Sequence, residues 1–150
     1  MKFKDYMLIA HFVRLIDKKI KLTFEDTYCW AERENHAINI APSDFRSLKD
    51  FGFMRHIKTH HYFNRIDNYS LVMISILHEI GHLYTNGKDD LKTRSFLAMI
   101  SPEVAAKDRS IQDKYYNIPC EFAATEWAIR FIKKNDKFVK IFDKKFRKFS

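Results

Sequence analysis

Residues 70–82 read SLVMISILHEIGH, an apolar stretch that ends in two histidines. His78 and His82 stand four positions apart, and residues with this spacing lie on the same face of an α-helix, one turn above each other. The apolar residues before them predict a buried helix from residue 70 to about residue 85. The sequence therefore predicts two imidazoles that point in the same direction from a helix at the centre of the fold.

This HExxH pattern is typical of a zinc site. Imidazole nitrogens bind zinc at about 2.0 to 2.1 Å, so His78 and His82 can reach the same ion. Glu79 is rotated by about 100° around the helix, and it reaches a water on the ion rather than the ion itself. Because zinc lowers the pKa of such a water toward about 7, a neighbouring carboxylate can take its proton. We predict one Zn²⁺ ion, with Glu79 as the general base in peptide-bond hydrolysis.

Gly81 lies inside the predicted helix. A glycine there costs about 1 kcal/mol relative to alanine, which indicates that another backbone packs closely against this turn.

A third protein ligand is needed from elsewhere in the chain. The candidates are Glu121 and Glu126, in a helical segment that begins at Pro119. These two residues differ by roughly 140° around a helix, so both cannot face one ion. Glu121 shares its face with small or apolar residues that allow close packing, and Glu126 is expected to be exposed on another face. The predicted zinc ligands are therefore His78, His82 and Glu121.

The remaining patterns predict an α+β fold. Residues 6–19 have helical spacing, and three short alternating segments near residues 22–24, 28–30 and 38–40 favour a meander of strands. Further helices are expected after Pro42, over residues 91–100, from residue 101 and from Pro119. We expect a small antiparallel β-sheet packed on the HExxH helix and on the C-terminal helix that bears Glu121.

Length and composition favour a single domain over residues 1–150. The chain is 46% hydrophobic, with 14 phenylalanines and only three glycines, so it can bury a substantial core. Two cysteines, Cys29 and Cys120, are too few for a disulfide framework. No stretch reaches the 18 or more apolar residues that a membrane span requires. A soluble, cytoplasmic protein is the expectation.

The net charge of +8 is concentrated near the C-terminus. Residues 130–150 contain nine lysines and arginines against two aspartates, a local charge of +7. Phenylalanines recur through the same segment at helical spacing, which predicts a basic amphipathic tail. Such a tail can pack on the core with a solvated basic face, or it can hold an acidic partner, including nucleic acid. No nucleic-acid-binding motif accompanies it.

The two helical motifs together resemble a known family. His78-Glu79-Ile80-Gly81-His82, followed by the helix EFAATEWA at residues 121–128, is similar to the ImmA/IrrE family of small zinc metallopeptidases. The motifs of that family are HExGH and a later ExEANxFA-like helix. This chain has Ala123 where the family pattern has glutamate and Thr125 where it has asparagine. Thr125 still offers a hydroxyl as outer support for a histidine ligand.

The resemblance implies a zincin-like fold, a reduced gluzincin core with the sheet beside the active-site cleft. It also implies that His78, His82 and Glu121 bind zinc and that Glu79 is the catalytic base. A bacterial or phage origin and a protein substrate such as a repressor follow from the same resemblance.

A rival metal pair and several oxyanion candidates stay open. His56 and His60 also stand four apart, but no acidic residue follows the first histidine. They are interpreted mainly as surface or core-edge histidines. One of them, or a tyrosine, is a candidate to stabilise the oxyanion, and the sequence does not select among them. The tyrosines in question are Tyr84, Tyr115 and Tyr116.

Two other functions are compatible with the sequence. The first is a catalytically silent, metal-containing protein that holds a protein or nucleic-acid partner with its groove and basic tail. The second is a nucleic-acid-associated protein in which the HExxH motif is only structural.

Overall fold

The computed structural model describes residues 1–149 and shows an α+β fold, as predicted. Helix α1 (Phe3–Ile16) is followed by strands β1 (Lys21–Thr23), β2 (Trp30–Glu32) and β3 (Ala37–Asn39). Next come α2 (Pro42–Asp50), α3 (Phe53–His60), a 3-10 turn (Asn64–Asn68) and α4 (Leu71–Leu83). The second half contains α5 (Leu91–Ala98), α6 (Pro102–Ala105), α7 (Arg109–Tyr116), α8 (Pro119–Lys134) and α9 (Asp136–Phe146).

Helix α4 lies at the centre of the core. All residues from Val72 to Gly81 are buried, which confirms the buried helix expected from the apolar sequence. Ser70 caps its N-terminus by accepting a hydrogen bond from the backbone N–H of Met73 at 3.2 Å. The Ser70 hydroxyl in turn donates to Asp143 of α9 at 2.7 Å. Because the cap is tied to α9, the start of the HExxH helix is fixed by tertiary contacts.

The sheet differs from the predicted antiparallel meander. Its strand order is β1-β3-β2, with β1 parallel to β3 and β2 antiparallel to β3, so the sheet is mixed. The reason is Asn39, which is fully buried at the end of β3. Its side-chain oxygen accepts from Thr23 and from the backbone of Glu25, and its amide donates to the carbonyls of Glu25 and Tyr28. These bonds hold the loop of residues 24–29, which carries the chain across to the far edge of β3.

The predicted basic tail is part of the helical core. Residues up to Lys134 belong to α8, and α9 packs its phenylalanines against α1. The ring of Phe12 lies 5.0 to 5.4 Å from those of Phe138, Phe142 and Phe146. Most lysines of α9 lie on its exposed side, in agreement with core packing and a solvated basic face. Ser150, the last residue of the predicted tail, lies outside the described residues.

Two broader expectations concern membranes and disulfides. In the part of the chain that the structure describes, no helix combines the length and the hydropathy needed to cross a bilayer. Cys29 and Cys120 are both free thiols.

Candidate metal centre

Helices α4 and α8 approach each other closely at Gly81. A Cβ atom placed on Gly81 would lie 2.4 Å from the carbonyl oxygen of Ala124. Only glycine permits this distance, so the prediction of a close backbone neighbour at Gly81 is confirmed. The contact brings the first turn of α8, with Glu121, alongside the last two turns of α4.

Three predicted ligands converge at this contact. The Nε2 atom of His78 lies 3.3 Å from Oε1 of Glu121, and Nε2 of His82 lies 3.1 Å from the same carboxylate. The three potential ligand atoms all lie within 4.8 Å of one another. Glu121 is 5% exposed and His78 is 9% exposed. Two imidazoles and one carboxylate are a donor set that suits zinc and leaves room for a fourth, non-protein ligand.

The outer partner of His78 is Thr125, one turn along α8 from Glu121. The Thr125 hydroxyl donates to the backbone carbonyl of Glu121 at 3.2 Å, and it lies 2.9 Å from Nδ1 of His78. With its own proton used in this way, the hydroxyl can only accept from His78. We therefore assign the imidazole proton to Nδ1, which leaves a lone pair on Nε2, the tautomer that binds a metal through Nε2. Thr125 thus supports the histidine where the family pattern has asparagine.

The electrostatics of the cluster favour a cation at the point of convergence. Burial lowers the pKa of His78 despite the adjacent carboxylate, and the tautomer set by Thr125 turns the Nε2 lone pair of His78 toward Glu121. Burial of Glu121 opposes its charge, but contacts with His78 and His82 outweigh this and keep its pKa well below the usual value. A lone pair opposite a carboxylate oxygen repels it unless a positive charge lies between them. A divalent metal ion fits this requirement without protonating the imidazole.

Glu79 lies next to the three ligands and lines a cavity. The cavity has a volume of about 310 Å³, and His82, Glu121 and Trp30 of β2 also line it. Glu79 is 8% exposed. Burial, and then the negative charge of Glu121, raise its pKa well above the usual value. A carboxyl group with a raised pKa, placed beside a metal site, is suited to accept a proton and release it again.

Tyr115 is the only one of the three candidate tyrosines that lines this cavity among the residues described. Its hydroxyl lies 3.5 Å from Oε1 of Glu121. Tyr84 instead donates to Asp17 and stacks on Trp127, at a ring distance of 5.4 Å. Tyr116 is buried against Phe53. The structure therefore separates tyrosines that the sequence left equivalent.

The other two oxyanion candidates, His56 and His60, lie on α3 in a different cluster. Their side chains contact Asn117 and Asp113 of the segment that leads into α8. They do not contact His78, His82 or Glu121 through any hydrogen bond or ion pair found within residues 1–149.

Arg94 is a site residue that the sequence analysis missed. Its Nη2 atom lies 3.3 Å from Oε2 of Glu121, and its Nε donates to Asp89 at 2.5 Å. Arg94 therefore holds the Glu121 oxygen that faces away from His78. Arg94 reaches Glu121 because of the way the segment between α4 and α8 folds back. The helical pattern of the residues around Arg94 does not indicate this contact.

Glu126 is not exposed as predicted. It is half-buried and lies 2.5 Å from Nδ1 of His61, whose side chain is fully buried. The prediction that Glu126 faces away from the metal ligands agrees with this placement, whereas the prediction of a solvent-exposed position is wrong. The reason is that His61, which directly follows α3, reaches α8 and covers that face.

Comparison of the chain with family models, with curated proteins and with solved structures returned no match. The proposed function of this chain therefore depends on the geometry of the candidate metal centre and on the HExxH and EFAATEWA motifs.

Proposed function

We propose that this chain is a zinc-dependent metallopeptidase of the ImmA/IrrE type, with a zincin-like fold. The observation that carries the proposal is the convergence of His78, His82 and Glu121 at 3.1 to 3.3 Å, beside Glu79 and a cavity. His78, His82 and Glu121 would hold the ion. When bound, zinc supplies a Lewis acid that polarises a carbonyl group and acidifies water.

The remaining chemistry belongs to residues of this chain. Glu79 accepts a proton from the attacking water and then delivers it to the leaving amine. Tyr115, whose hydroxyl points toward the ligand cluster, donates a hydrogen bond to the developing oxyanion. Thr125 and Arg94 hold the ligands His78 and Glu121 in place. Together, these groups would transfer the proton, stabilise the oxyanion and orient the zinc ligands.

The substrate class follows from the walls of the cavity. Strand β2 is at an edge of the sheet, and its residues Trp30 and Ala31 line the cavity. An extended peptide can add to such an edge by main-chain hydrogen bonds, which places its carbonyl groups along the cavity. We therefore propose an extended segment of a protein as substrate, a repressor being the example that the resemblance implies, in a cytoplasmic bacterial or phage setting.

The test compares wild type with Glu79→Gln on a peptide library in the presence of zinc, with cleavage read by mass spectrometry. Glutamine keeps the size of the side chain but cannot take the proton. We expect wild type to cleave, and Glu79→Gln to retain zinc while its cleavage falls by about 10³-fold.

Equal cleavage by the two proteins would contradict the proposal. Absence of cleavage by a wild-type protein that contains zinc and binds a partner would favour the silent binding function. A protein without zinc that shows salt-sensitive DNA binding would favour the nucleic-acid function.

A further inference from the structure

A second cluster of metal-binding side chains lies between α3 and α7. His56 and His60 present their rings from the same face of α3, with centroids 4.4 Å apart and planes inclined by 14°. Asp113 of α7 places Oδ2 at 3.4 Å from Nε2 of His60. One potential ligand atom from each of the three residues lies within 4.8 Å of the other two. These residues are distinct from those of the centre on α4.

The carboxylate of Asp113 is oriented by a neighbour. Arg55 donates to Oδ1 of Asp113 at 2.9 Å, while Oδ2 of the same carboxylate faces His60. Such an arginine fixes the carboxylate and leaves one oxygen available, as outer partners of metal ligands commonly do. The Asn117 oxygen lies 2.9 Å from Nε2 of His56 and accepts a hydrogen bond from it, which leaves the other ring nitrogen of His56, Nδ1, as the potential ligand. The cluster of His56, His60 and Asp113 therefore offers both nitrogen and oxygen atoms that can bind a metal ion.

One ring nitrogen of His56 lacks a partner. His56 is fully buried, and its Nδ1 atom has no hydrogen-bond partner among residues 1–149. Buried polar atoms are nearly always satisfied, so a missing partner requires an explanation. Since Nε2 faces the Asn117 oxygen, the lone pair on Nδ1 is the one available to a metal ion.

We propose that His56, His60 and Asp113 form a second site for a divalent transition-metal ion of the zinc type, which clamps α7 onto α3. Two imidazoles and one carboxylate suit zinc better than magnesium or calcium, which prefer all-oxygen sites. The position that corresponds to Glu79 is occupied by Ile57, which is fully buried. With no carboxylate in that position, this site is structural.

The clamp would act on the segment that carries Tyr115. Asp113 precedes Tyr115 by two residues on α7, and Tyr115 lines the cavity beside Glu79. An ion between α3 and α7 would therefore limit the movement of one wall of that cavity.

The test measures zinc stoichiometry and affinity with a chromophoric chelator as competitor. We expect two equivalents for wild type, one for His60→Ala, and one for His82→Ala. The double variant His60→Ala/His82→Ala should bind none. Asp113→Asn removes the charge of a direct ligand and should weaken the second equivalent by more than the about 10- to 100-fold typical of an outer partner, which covers the case in which His60→Ala fails to fold.

Two control variants separate metal binding from other roles of these helices. Lys58→Gln removes an ion pair between α3 and Asp67 and no contact of the cluster, and it should still bind two equivalents. His11→Ala removes an exposed histidine of α1 and should also bind two.

The proposal would be overturned by one equivalent in wild type that His60→Ala leaves unchanged, or by two equivalents in both His60→Ala and Asp113→Asn. A single equivalent that His60→Ala removes and His82→Ala retains would support this site and contradict the centre on α4. The two sites can therefore fail independently.

Discussion

Helix α4 and helix α3 each present two histidines four residues apart, but the residue after the first histidine differs. It is Glu79 in α4 and Ile57 in α3. Glu79 lines a cavity of about 310 Å³, whereas Ile57 is fully buried in the core. The same spacing therefore offers potential ligands at both positions, and the residue after the first histidine decides whether a carboxylate lies beside them. We infer that the cluster on α4 is catalytic and that the cluster on α3 is structural.

The carboxylates of the two clusters also differ. Glu121 lies 3.1 to 3.3 Å from both of its histidines, whereas Asp113 contacts only His60, at 3.4 Å, and pairs with Arg55. Because Glu121 already faces both imidazoles, the first cluster needs less rearrangement to bind an ion. We expect it to be the tighter of the two sites.

The largest expected effect is the difference in peptide cleavage between variants of the two clusters. Glu121→Ala removes a direct ligand, so peptide cleavage should fall by about 10³-fold or more, beyond the 10- to 100-fold loss typical of an outer partner. Asp113→Ala should lower cleavage by less than about 10-fold, because its cluster has no base and acts only on the wall that carries Tyr115. Steady-state rates at saturating zinc measure both. A loss of similar size in the two variants would contradict the assignment of chemistry to α4.

The second prediction compares glycines at the two clusters. Gly81→Ala should lower the free energy of unfolding by about 3 kcal/mol, because its Cβ meets the backbone of Ala124, which cannot move aside. Gly52, which precedes α3, has φ of 70° and faces the side chain of Gln112. Gly52→Ala should cost about 1 to 2 kcal/mol, since the side chain can yield and only backbone strain remains. Urea denaturation of the metal-free proteins gives both values. A larger loss of stability for Gly52→Ala than for Gly81→Ala would show that the contact between Gly81 and Ala124 does not hold α4 against α8.

The sequence predicted the features that depend on residues close together in the chain, and it did not predict those that depend on distant contacts. The helix α4, the positions of His78, Glu79 and His82 on it, and the close contact at Gly81 all follow from spacing within one or two helices. Glu121 followed from the helical face it shares with small residues. The sequence could not place Arg94 or Asp113, because both belong to the segment between α4 and α8, whose path is set by tertiary packing.

The strand order was wrong for a similar reason. Alternation identified the short strands, but the order β1-β3-β2 depends on the buried Asn39, whose side chain bonds a loop 11 to 16 residues away. The exposed position predicted for Glu126 was wrong because His61, which directly follows α3, lies against it.

The third prediction concerns the outer partner of His78. Thr125→Val keeps the shape of the side chain but removes the oxygen that lies 2.9 Å from Nδ1. Zinc affinity at the α4 site should fall by about 10- to 100-fold. Thr85→Val is a matched control, since its hydroxyl donates to the Gly81 carbonyl and contacts neither histidine. Isothermal titration should show the loss for Thr125→Val alone. Unchanged affinity would mean that Thr125 does not orient His78.

The smallest effect concerns the end of α4. Asp17 accepts hydrogen bonds from Tyr84 and contacts His36, and the Tyr84 bond is the main reason why its pKa falls from 3.8 to about 2. Since the folded pKa lies below the unfolded value, this stabilisation is complete above about pH 4 and is lost as the pH falls through about 2. Asp17→Asn should lower the free energy of unfolding at pH 7 by on the order of 1 kcal/mol, after allowance for solvent screening.

Thermal denaturation at pH 7 and at pH 2 measures this difference. At pH 2 the difference between wild type and Asp17→Asn should shrink. A difference that is constant between the two pH values would assign the effect to packing instead of charge.

Anomalous diffraction at the zinc edge, from crystals grown with zinc, tests the central claim most directly. The account predicts a peak at about 2.0 to 2.1 Å from Nε2 of His78 and of His82, and within bonding distance of Glu121. Glu79 should lie beside a non-protein ligand and should not touch the ion. A map without a peak between these three side chains, or with Glu79 as a direct ligand, would contradict it.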